Sequence, residues 1–527
     1  MAFQELFVTL QHPRKDSVSH CLLSGLRCWR SAAIALAALG HWFGLGESYK
    51  DFLKTEIVFL NFNKTNKSMN LINSHHTTSE YSDLNNVKPL DHIRIYGMIH
   101  NLRITKWGGF LILRKANGLI QGVIQNETTK FVDEQKKEIM VGELSREMAV
   151  IVEGTINAAK IKDPAVVYNT FEIAIERVYV ISRPTTTDVI DVNALKFGDE
   201  EALLRFKFDN RHVTLRNPRD MAILRVQAAI SQGFSQYLIS QGFTQIYTPK
   251  IVSEGAEGGA NVFKMDYFGK QVYLAQSPQF YKQIGVGVYE RVFEIAPAYR
   301  AEKHSTSRHL NEFISMDVEM GFIKGQEDVM ELEMNLLRHI IEYVKENCAH
   351  ELNLLGADLP LIPETIPAFS LSEAHDVLYI EHLTQDDHRG EDDMAPEEER
   401  AICKYVREKY NSDFVFITHF PTKHRAFYAM DDPKDENLTI SYDLLMRGLE
   451  ITSGGQRMHE ESNYRRKMTE RGMNPDNFHF YMDTFRNGMP PHGGFAIGLE
   501  RITACLLNIA NVKECSMFPR DINRVAP

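Results

Sequence analysis

A chain of 527 residues is too long for a single hydrophobic core, so two or three domains are expected. The hydrophobic content of 43% and the charged content of 24% are typical of a soluble globular protein. The net charge of -11 excludes a generally basic nucleic-acid binder, although a local basic face could still bind RNA. Six scattered cysteines form no Cys-x-x-Cys pair and no zinc spacing, which predicts a reducing compartment and a cytoplasmic location.

The first segment, residues 1–85, is unlike the rest of the chain. Its apolar run Ala32 to Leu39 is too short to span a bilayer, and we expect no membrane contact. An Asn-, Ser-, Thr- and Lys-rich stretch follows, which is typical of disorder. We interpret the segment as a poorly ordered or wrongly included extension, with Met69 as an alternative start. A targeting sequence is the alternative interpretation.

Short alternating apolar and polar stretches fill residues 89–182 and are separated by Gly, Lys and Asn turns. About five strands with a helix-like insert around 127–141 predict a small β barrel. An oligonucleotide-binding (OB) fold is the leading candidate, and a generic barrel without a ligand is equally open on pattern alone. Residues 183–208 follow as a predicted hinge.

Residues 209–527 alternate strands and helices and are predicted to form the second domain. A long helical pattern runs to about Gln241, and a strand with Pro249 near its end follows. A glycine-rich loop around Glu257 could close over a small ligand, although such a loop alone is weak evidence. The stretch 355–440 is less regular and is predicted to be an insertion.

The stretch Tyr299 to Met320 is predicted to be an antiparallel hairpin. A first strand ends in Arg300 and Glu302, and a second strand carries Arg308, His309, Phe313 and Asp317. Arginines can grip phosphate and an aromatic ring can stack on a base. On charge pattern alone, a salt-bridged surface hairpin is an equally open interpretation.

Two acidic residues further along, Asp443 and Glu450, suit a Mg²⁺ ion shared with phosphates. Seven residues apart on one regular strand, they would face opposite sides, so a bulge is needed and Gly448 is the expected place. A glycine-rich strand before Arg501 then leads into a helix.

The hairpin sequence, Arg-x-Glu, a variable loop and Arg-His-x-x-Glu-Phe, resembles motif 2 of class II aminoacyl-tRNA synthetases. Within that class it is most similar to the aspartyl, asparaginyl and lysyl subgroup of archaeal and eukaryotic type. The stretches before Pro249 and around Arg501 resemble motifs 1 and 3, and the resemblance covers residues 89–527. It implies an α+β protein, with an N-terminal OB-fold anticodon-binding barrel before a class II antiparallel sheet flanked by helices. It also implies a homodimer through motif 1.

The resemblance assigns roles residue by residue. It implies that catalysis rests on Arg300 and Arg501, and that a metal binds to Asp443, Glu450 and Ser453. For aspartate it implies contacts with Glu257, Gln279, Lys282, Arg300, Ser453 and Arg457. For ATP it implies contacts with Arg300, Glu302, Arg308, His309, Leu310, Phe313, Glu450, Gly498, Leu499, Glu500 and Arg501. For the anticodon it implies Phe110, Gln121 and His100. Four basic residues could contact phosphate but are individually better explained as surface charges: Arg103, Lys106, Arg114 and Lys115.

The implied activity uses ATP and Mg²⁺ to activate L-aspartate and transfers it to the 3′ end of tRNA(Asp). His100 stands where strict enzymes often carry tryptophan, which tilts the prediction weakly towards charging tRNA(Asn) as well. Lys282 and Arg457 argue against an asparagine-specific ligase, and the barrel argues against an asparagine synthetase. A non-catalytic RNA-binding paralogue is the alternative from a different functional class.

Overall fold

The computed structural model describes residues 82–186, 188–255 and 261–527. The predictions for the N-terminal segment, including Met69 as a start, therefore lie outside the described residues, apart from its last four positions. The same is true of the predicted contact from Glu257. In the parts that are described, a β-rich domain precedes a larger domain built on one long sheet.

The first domain is a closed barrel of five strands. The chain runs through seven strands here: β1 (His92–Thr105), β2 (Gly108–Lys115), β3 (Gly118–Gln125), β4 (Lys130–Val132), β5 (Glu138–Ile139), β6 (Ala149–Ala158) and β7 (Phe171–Ser182). The order β3-β2-β1-β6-β7 closes because β7 also pairs with β3 in parallel. Alternate positions such as Leu111, Leu113, Val150 and Val152 are buried inside, as a period of two requires. The predicted barrel is therefore confirmed.

The helix-like insert predicted at 127–141 is wrong. This stretch carries β4, β5 and the start of a short 3-10 turn, Val141–Glu143. Its Lys- and Glu-rich composition suggests a helix, but Phe131 is buried in the barrel core. β4 extends the sheet alongside β7, so tertiary packing overrides the local preference.

The second domain carries the remaining strands. They are β8 (Thr244–Gln245), β9 (Ile251–Val252), β10 (Lys264–Tyr267), β11 (Lys270–Leu274), β12 (Arg291–Tyr299), β13 (Glu312–Gly321), β14 (Ala368–Ser370), β15 (Phe414–Thr418), β16 (Asp431–Asp432), β17 (Asp435–Thr439), β18 (Ser441–Met446), β19 (Leu449–Arg457) and β20 (His492–Gly498). Eight of them form one sheet in the order β14-β15-β18-β19-β20-β13-β12-β8. Every neighbouring pair is antiparallel except the two at the edges.

Helices flank this sheet. They are α1 (Glu200–Asp209), α2 (Arg211–Thr214), α3 (Pro218–Ser240), α4 (Gln279–Tyr289), α5 (Gln326–Asn347), α6 (Ala349–Leu355), α7 (Leu371–Ile380), α8 (Pro396–Tyr410), α9 (Glu461–Glu470), α10 (His479–Arg486) and α11 (Leu499–Leu507). α3 and α5 bury their apolar faces on one side of the sheet, where they form the main core with residues such as Phe293, Val318 and Phe495. Among the described helices, none combines the length and the apolar character that a membrane span requires.

Three predicted boundaries differ from the structure. The predicted hinge, 183–208, already contains most of α1, which starts after an Asp199 cap on the backbone N–H of Ala202. The stretch 355–440 is more than an insertion, because β14 and β15 complete one edge of the central sheet. Pro249 lies between β8 and β9 rather than in a strand, as expected for a residue that cannot donate a ladder hydrogen bond.

Glu333, a buried acid on α5, gives a prediction about how stability depends on pH. Glu333 on α5 has no exposed surface, and it accepts a hydrogen bond from the Tyr442 hydroxyl at 2.7 Å. Burial raises the pKa of Glu333 to about 7. The folded protein therefore holds this proton more tightly than the unfolded chain does. The stabilisation is complete below pH 4.5 and is lost as the pH rises to about 7, a loss on the order of 3 kcal/mol.

We expect Glu333→Gln, which mimics the protonated acid, to flatten this dependence. The melting temperature of the variant should fall less than that of the wild type between about pH 5 and pH 8, the range that brackets this titration. Glu331→Gln, at an exposed position of the same helix, is the matched control and should follow the wild type. The same pH dependence in all three proteins would contradict the prediction.

Candidate active site

A cavity of about 530 Å³ lies on the face of the central sheet opposite α3 and α5. Along β13 the side chains alternate, so that Ser315 and Asp317 face the cavity while Met316 and Val318 face the core. Most of the predicted site residues line this cavity: Gln279, Lys282, Arg300, Glu302, Arg308, His309, Leu310, Phe313, Glu450, Ser453, Arg457, Gly498, Glu500 and Arg501. The hairpin, one member of the acidic pair and the glycine-rich strand, far apart in sequence, therefore share one cavity.

One end of the cavity holds two buried cations beside two buried carboxylates. Lys282 Nζ lies 3.1 Å from Asp317 Oδ1 and 3.2 Å from Glu319 Oε2. Arg457 Nε donates to Glu319 Oε1 at 3.0 Å, and its Nη2 donates to the Gly494 carbonyl at 2.9 Å. Glu319 thus bridges the lysine and the arginine and offsets their mutual repulsion. Burial raises its pKa, but Arg457 and Lys282 outweigh burial and hold the pKa of Glu319 below its ordinary value.

The close packing at this end of the cavity explains why residue 494 is a glycine. A Cβ at Gly494 would lie 2.0 Å from the Val318 carbonyl and 2.4 Å from Glu319 Oε2. Only glycine leaves room for the bridging carboxylate on the neighbouring strand.

Gln279 opens α4 at the same end of the cavity. Its side chain is buried, and its Nε2 has no hydrogen-bond partner among residues 82–186, 188–255 and 261–527. A buried amide donor without a partner costs free energy unless a ligand or water supplies one. This end of the cavity therefore suits a small ligand that carries acceptor oxygens.

The predicted antiparallel hairpin is present as β12 and β13, which pair from Arg291 with Met320 to Tyr299 with Glu312. Arg300, Glu302, Arg308 and His309 lie in the connecting loop, so the prediction that the last two stand on the second strand is wrong. The loop folds back on itself because the Asn311 side chain donates to the carbonyls of Arg300 and Glu302 at 2.7 and 3.0 Å.

The aromatic and cationic groups of the hairpin meet as predicted. The guanidinium carbon of Arg300 lies 5.6 Å from the centre of the Phe313 ring, and both line the cavity. His309 Nε2 lies 3.7 Å from Glu302 Oε2, and burial lowers the pKa of this histidine. The arrangement offers a flat surface for a base beside a donor for phosphate.

Arg308 has a partner that the sequence does not reveal. It pairs with Glu399 of α8 and donates to the Gly448 carbonyl at 2.8 Å. Burial raises the pKa of Glu399 to about 7, and Arg308 opposes that effect. The segment 355–440 thus contributes a group that positions the hairpin loop.

The acidic pair is arranged differently from the prediction. Arg447 and Gly448, both with positive φ, form the turn between β18 and β19, so Asp443 and Glu450 stand on neighbouring strands. A bulge exists, but it falls at Ile451, because Leu444 pairs with Thr452 while Leu445 pairs with Glu450. This extra residue turns Ile451 into the main core and leaves Glu450 and Ser453 on the cavity side.

Arg425 is the main cavity residue that sequence reasoning missed. Its Nη1 and Nη2 donate to the two carboxylate oxygens of Asp443 at 3.0 and 2.5 Å, and Nη1 lies 3.3 Å from Ser453 Oγ. Its guanidinium carbon lies 3.6 Å from the centre of the Phe420 ring. Asp443 itself, paired with Arg425, is buried and does not line the cavity. A metal ion at Asp443 would have to share that carboxylate with Arg425, so the predicted ligand role stays a prediction.

The glycine-rich strand β20 runs directly into α11, as predicted. Arg501, in the first turn, donates to the Glu450 carbonyl at 3.0 Å. Glu500 accepts the Ile314 backbone N–H at 3.1 Å, which ties α11 to β13. The Leu499 side chain lies in the main core, so only its backbone could serve the cavity.

Two of the three predicted anticodon residues lie on neighbouring strands of the barrel. Phe110 is 43% exposed on β2, and Gln121 lies opposite Ile112 on β3. Because Phe110 and Ile112 are two residues apart, they point to the same face of the sheet, and Gln121 shares that face. Gln121 Nε2 donates to Glu172 Oε2 at 2.8 Å, which leaves its carbonyl oxygen as an acceptor.

The third predicted residue, His100, is placed wrongly by the sequence. Its ring is only 4% exposed and lies within hydrogen-bond distance of the Asn193 side chain in the segment that leads to α1. Arg114 is also unavailable to phosphate, because Glu147 binds it at 2.7 and 2.8 Å and binds Arg216 at 2.6 Å. Both residues join the barrel to the second domain, a contact that strand patterns cannot reveal.

Lys115, a candidate phosphate contact, is instead held by a contact within the barrel. Its Nζ donates to the Tyr96 carbonyl at 2.7 Å and lies over the Tyr96 ring, and burial lowers its pKa to about 8. Arg103 and Lys106 are exposed and form no ion pair within the described ranges. Of the four candidate phosphate contacts, these two remain available.

Comparison with known proteins adds an independent result. The family described as tRNA synthetases class II (D, K and N) matches residues 204–522. An aspartate–tRNA(Asp/Asn) ligase of Deinococcus radiodurans is 42% identical over 441 residues, which are 82% of this chain and 95% of that protein. An aspartate–tRNA(Asp) ligase of Pyrococcus abyssi is 34% identical over 461 residues, covering 87% and 100%.

Solved structures are similar over the same region. The asparaginyl-tRNA synthetase of Pyrococcus horikoshii, crystallised with asparaginyl-adenylate, has a TM-score of 0.75 at 28% identity. The match covers 85% of this chain and 100% of that chain. Since aspartate and asparagine ligases share this fold, the choice of amino acid must be argued from the cavity.

Proposed function

The chain belongs to the class II tRNA synthetases of the D, K and N group, and on that premise we propose that it is an aspartate–tRNA ligase. It joins L-aspartate to the 3′ end of tRNA(Asp) at the expense of ATP. The second domain performs the chemistry, and the barrel binds the anticodon.

The observation that carries the choice of aspartate is the pair Lys282 and Arg457. Both cations are buried at one end of the cavity, and Glu319 holds them together. A side-chain carboxylate offers acceptors to both, whereas the asparagine amide brings two N–H donors to a place where the cations need acceptors. The Gln279 amide adds a donor for the same ligand. The two carboxylates nearby suit the ammonium group of the amino acid. Asp317 pairs with one of the two cations, whereas Glu319 pairs with both.

The first step forms a mixed anhydride. An oxygen of the aspartate α-carboxylate attacks the α-phosphorus of ATP in line, and the bond to the bridging oxygen breaks to release pyrophosphate. Arg300 contacts the α-phosphate, where negative charge builds up, and Arg501 contacts the terminal phosphate. Phe313 and Glu302 hold the adenine. Catalysis here is positioning and charge neutralisation, since no protein nucleophile is needed.

The second step transfers the aspartyl group. A ribose hydroxyl of the terminal adenosine of tRNA attacks the carbonyl carbon of aspartyl-adenylate, and AMP leaves. The cavity is open enough for a nucleotide to enter, because Lys423 and His424 line its rim and are about half or more exposed.

Mg²⁺ fits the oxygen donors on the cavity side of β19. The Glu450 carboxylate is partly exposed there beside the Ser453 hydroxyl, and both are hard ligands. When bound with ATP, the ion would neutralise charge on the phosphates. Arg425 already supplies a fixed positive charge at Asp443, which supports Glu450 and Ser453 as the principal metal ligands.

We also propose a homodimer through the motif 1 region. β8 is an edge strand of the central sheet, and large apolar side chains near it are exposed, among them Tyr247, Ile251, Val288 and Tyr289. An unpaired sheet edge beside such a patch suits a partner subunit. For location we propose the cytoplasm, which the four free, buried cysteines of the described residues support.

A non-catalytic RNA-binding paralogue is the competing function. Against it, Arg300, Arg501, Glu450 and Arg457 all remain in one cavity with connected partners. A protein that had lost catalysis would have no reason to keep this set. An ATP-binding measurement separates the two functions, because only the ligase requires tight binding of the triphosphate.

The experiment that tests the proposal is aspartylation of purified tRNA transcripts. We expect the enzyme to charge a tRNA(Asp) transcript with aspartate, and to charge a tRNA(Asn) transcript at a rate within about tenfold of it, a difference of about 1.4 kcal/mol or less. The resemblance motivates the second expectation, because His100 stands where strict enzymes often carry tryptophan. In the structure its ring is buried against Asn193, so its effect on the anticodon would be indirect. Charging of tRNA(Asp) alone would leave a strict aspartate ligase. Charging of neither would refute the proposed function.

A further inference from the structure

Trp107 is the most exposed large aromatic residue of the barrel among the described residues. It lies in the two-residue turn between β1 and β2, and 91% of its surface is accessible to solvent. An indole ring so exposed contributes little to the core, and it presents a flat π surface on which a base can stack. None of the roles that the family resemblance implies falls on this residue.

The turn that presents Trp107 is held firmly. Thr105 Oγ1 donates to the Gly108 carbonyl at 2.9 Å, and Asn126 Nδ2 donates to the carbonyls of Thr105 and Lys106 at 3.2 and 3.1 Å. Gly108 has a φ of +146°, and a Cβ there would lie 2.1 Å from the Ile124 carbonyl. The turn therefore packs against the end of β3, and the indole is displayed on a fixed support rather than on a mobile loop.

The charge around the turn is positive although the whole chain carries -11. Lys106 adjoins Trp107, and Arg103 pairs across the hairpin with Phe110. Both cations are exposed and form no ion pair within the described ranges. Exposed aromatic rings interleaved with free cations are the combination that binds single-stranded nucleic acid, because the rings stack on bases and the cations neutralise phosphates.

We propose that Trp107 stacks on an unpaired base of the tRNA anticodon loop, and that Arg103 and Lys106 contact the phosphates on either side. This inference rests on the proposed function, since it takes tRNA as the partner of the barrel. It adds a second stacking platform to the one predicted at Phe110, at the tip of the hairpin rather than on its face. The loops between strands of an OB fold are among the places where oligonucleotides bind.

The chain offers a direct optical test. It contains three tryptophans, Trp29, Trp42 and Trp107, and the last is the only one among the residues that the structure describes. We expect an anticodon stem-loop RNA to quench tryptophan emission of the full-length protein. In Trp107→Phe the quenching should disappear while most of the RNA affinity remains, because phenylalanine can still stack.

Binding affinity gives the second measurement. Trp107→Ala should raise the dissociation constant for the same stem-loop by about tenfold, as expected for the loss of one stacked base. Phe268→Ala is the matched control. That ring is also 91% exposed, on the turn between β10 and β11 of the other domain, and its loss should leave the affinity unchanged.

The outcomes separate this inference from the proposed function. If the wild type binds and charges tRNA, but Trp107→Ala binds the stem-loop as tightly as the Phe268→Ala control does, the inference is overturned and the proposed function stands. The inference is likewise overturned if Trp107 instead contacts another protein, because RNA affinity would then be unaffected. If the wild type activates aspartate but neither binds nor charges tRNA, the proposed function is refuted. The inference about Trp107, which rests on it, is then overturned as well.

Discussion

Arg300→Ala is expected to lower aspartate-dependent exchange of pyrophosphate into ATP by about a hundredfold to a thousandfold, the scale on which loss of one transition-state donor acts. Arg300 lies at the start of the hairpin loop, where its guanidinium meets the Phe313 ring and the cavity. An alanine there removes the donor placed for the α-phosphate. The effect should appear mainly in kcat, because the charge on that phosphate grows in the transition state.

The control for this variant is Arg205→Ala, which removes an exposed arginine of α1 that pairs with Glu201 one turn away. It should exchange pyrophosphate at the rate of the wild type. Circular dichroism and melting temperature would show that both variants fold. Near-normal exchange by Arg300→Ala would contradict the assignment of the hairpin as the ATP-holding element.

Lys282→Gln is expected to raise the KM for aspartate by about a hundredfold, with much less change in the KM for ATP. Lys282 is buried between Asp317 and Glu319, so its loss leaves Asp317 without its cation, and Glu319 with Arg457 alone, at the place where a third carboxylate must bind. Removing one member of a buried charge pair typically weakens binding by several kcal/mol, and a hundredfold corresponds to about 2.8 kcal/mol.

A second buried lysine provides the matched comparison. Lys467 on α9 binds Asp431 and donates to the Ala429 carbonyl, and its own side chain does not line the cavity. Lys467→Gln should therefore lower the melting temperature, as Lys282→Gln does, without raising the KM for aspartate. If the two variants changed that KM equally, the effect of Lys282 would be one of folding rather than of recognition.

The parts of the site that lie within continuous segments are predictable from the sequence. The hairpin of β12 and β13 and the passage from β20 into α11 follow from local pattern and motif, and the structure has both. The closed barrel is predictable for the same reason, since alternation and turn residues are local signals.

The parts that the sequence does not predict depend on contacts between distant segments. Arg425 belongs to a Lys-His-Arg run that resembles an ordinary surface cluster, and only the fold of the chain brings it to Asp443. The burial of His100 arises where the barrel meets the segment before α1, through Asn193. The bulge lies at Ile451 rather than at Gly448, because the glycine is needed for the turn that separates β18 from β19.

The electrostatic setting of the site also lies beyond sequence reasoning. Glu319 is not among the predicted residues, yet it joins Lys282 to Arg457 and makes two buried cations compatible with each other. Its role depends on the complete burial that β13 and the glycine-rich β20 create around it. A carboxylate at the same position of an exposed strand would be an ordinary surface charge.

The most direct test of aspartate selection is pyrophosphate exchange by the wild-type enzyme with aspartate and, separately, with asparagine. Two buried cations beside the ligand predict rapid exchange with aspartate and at least about a thousandfold less with asparagine, since the amide brings N–H donors to groups that can only donate. Equal exchange with the two amino acids, or faster exchange with asparagine, would contradict the claim that Lys282 and Arg457 select the aspartate carboxylate.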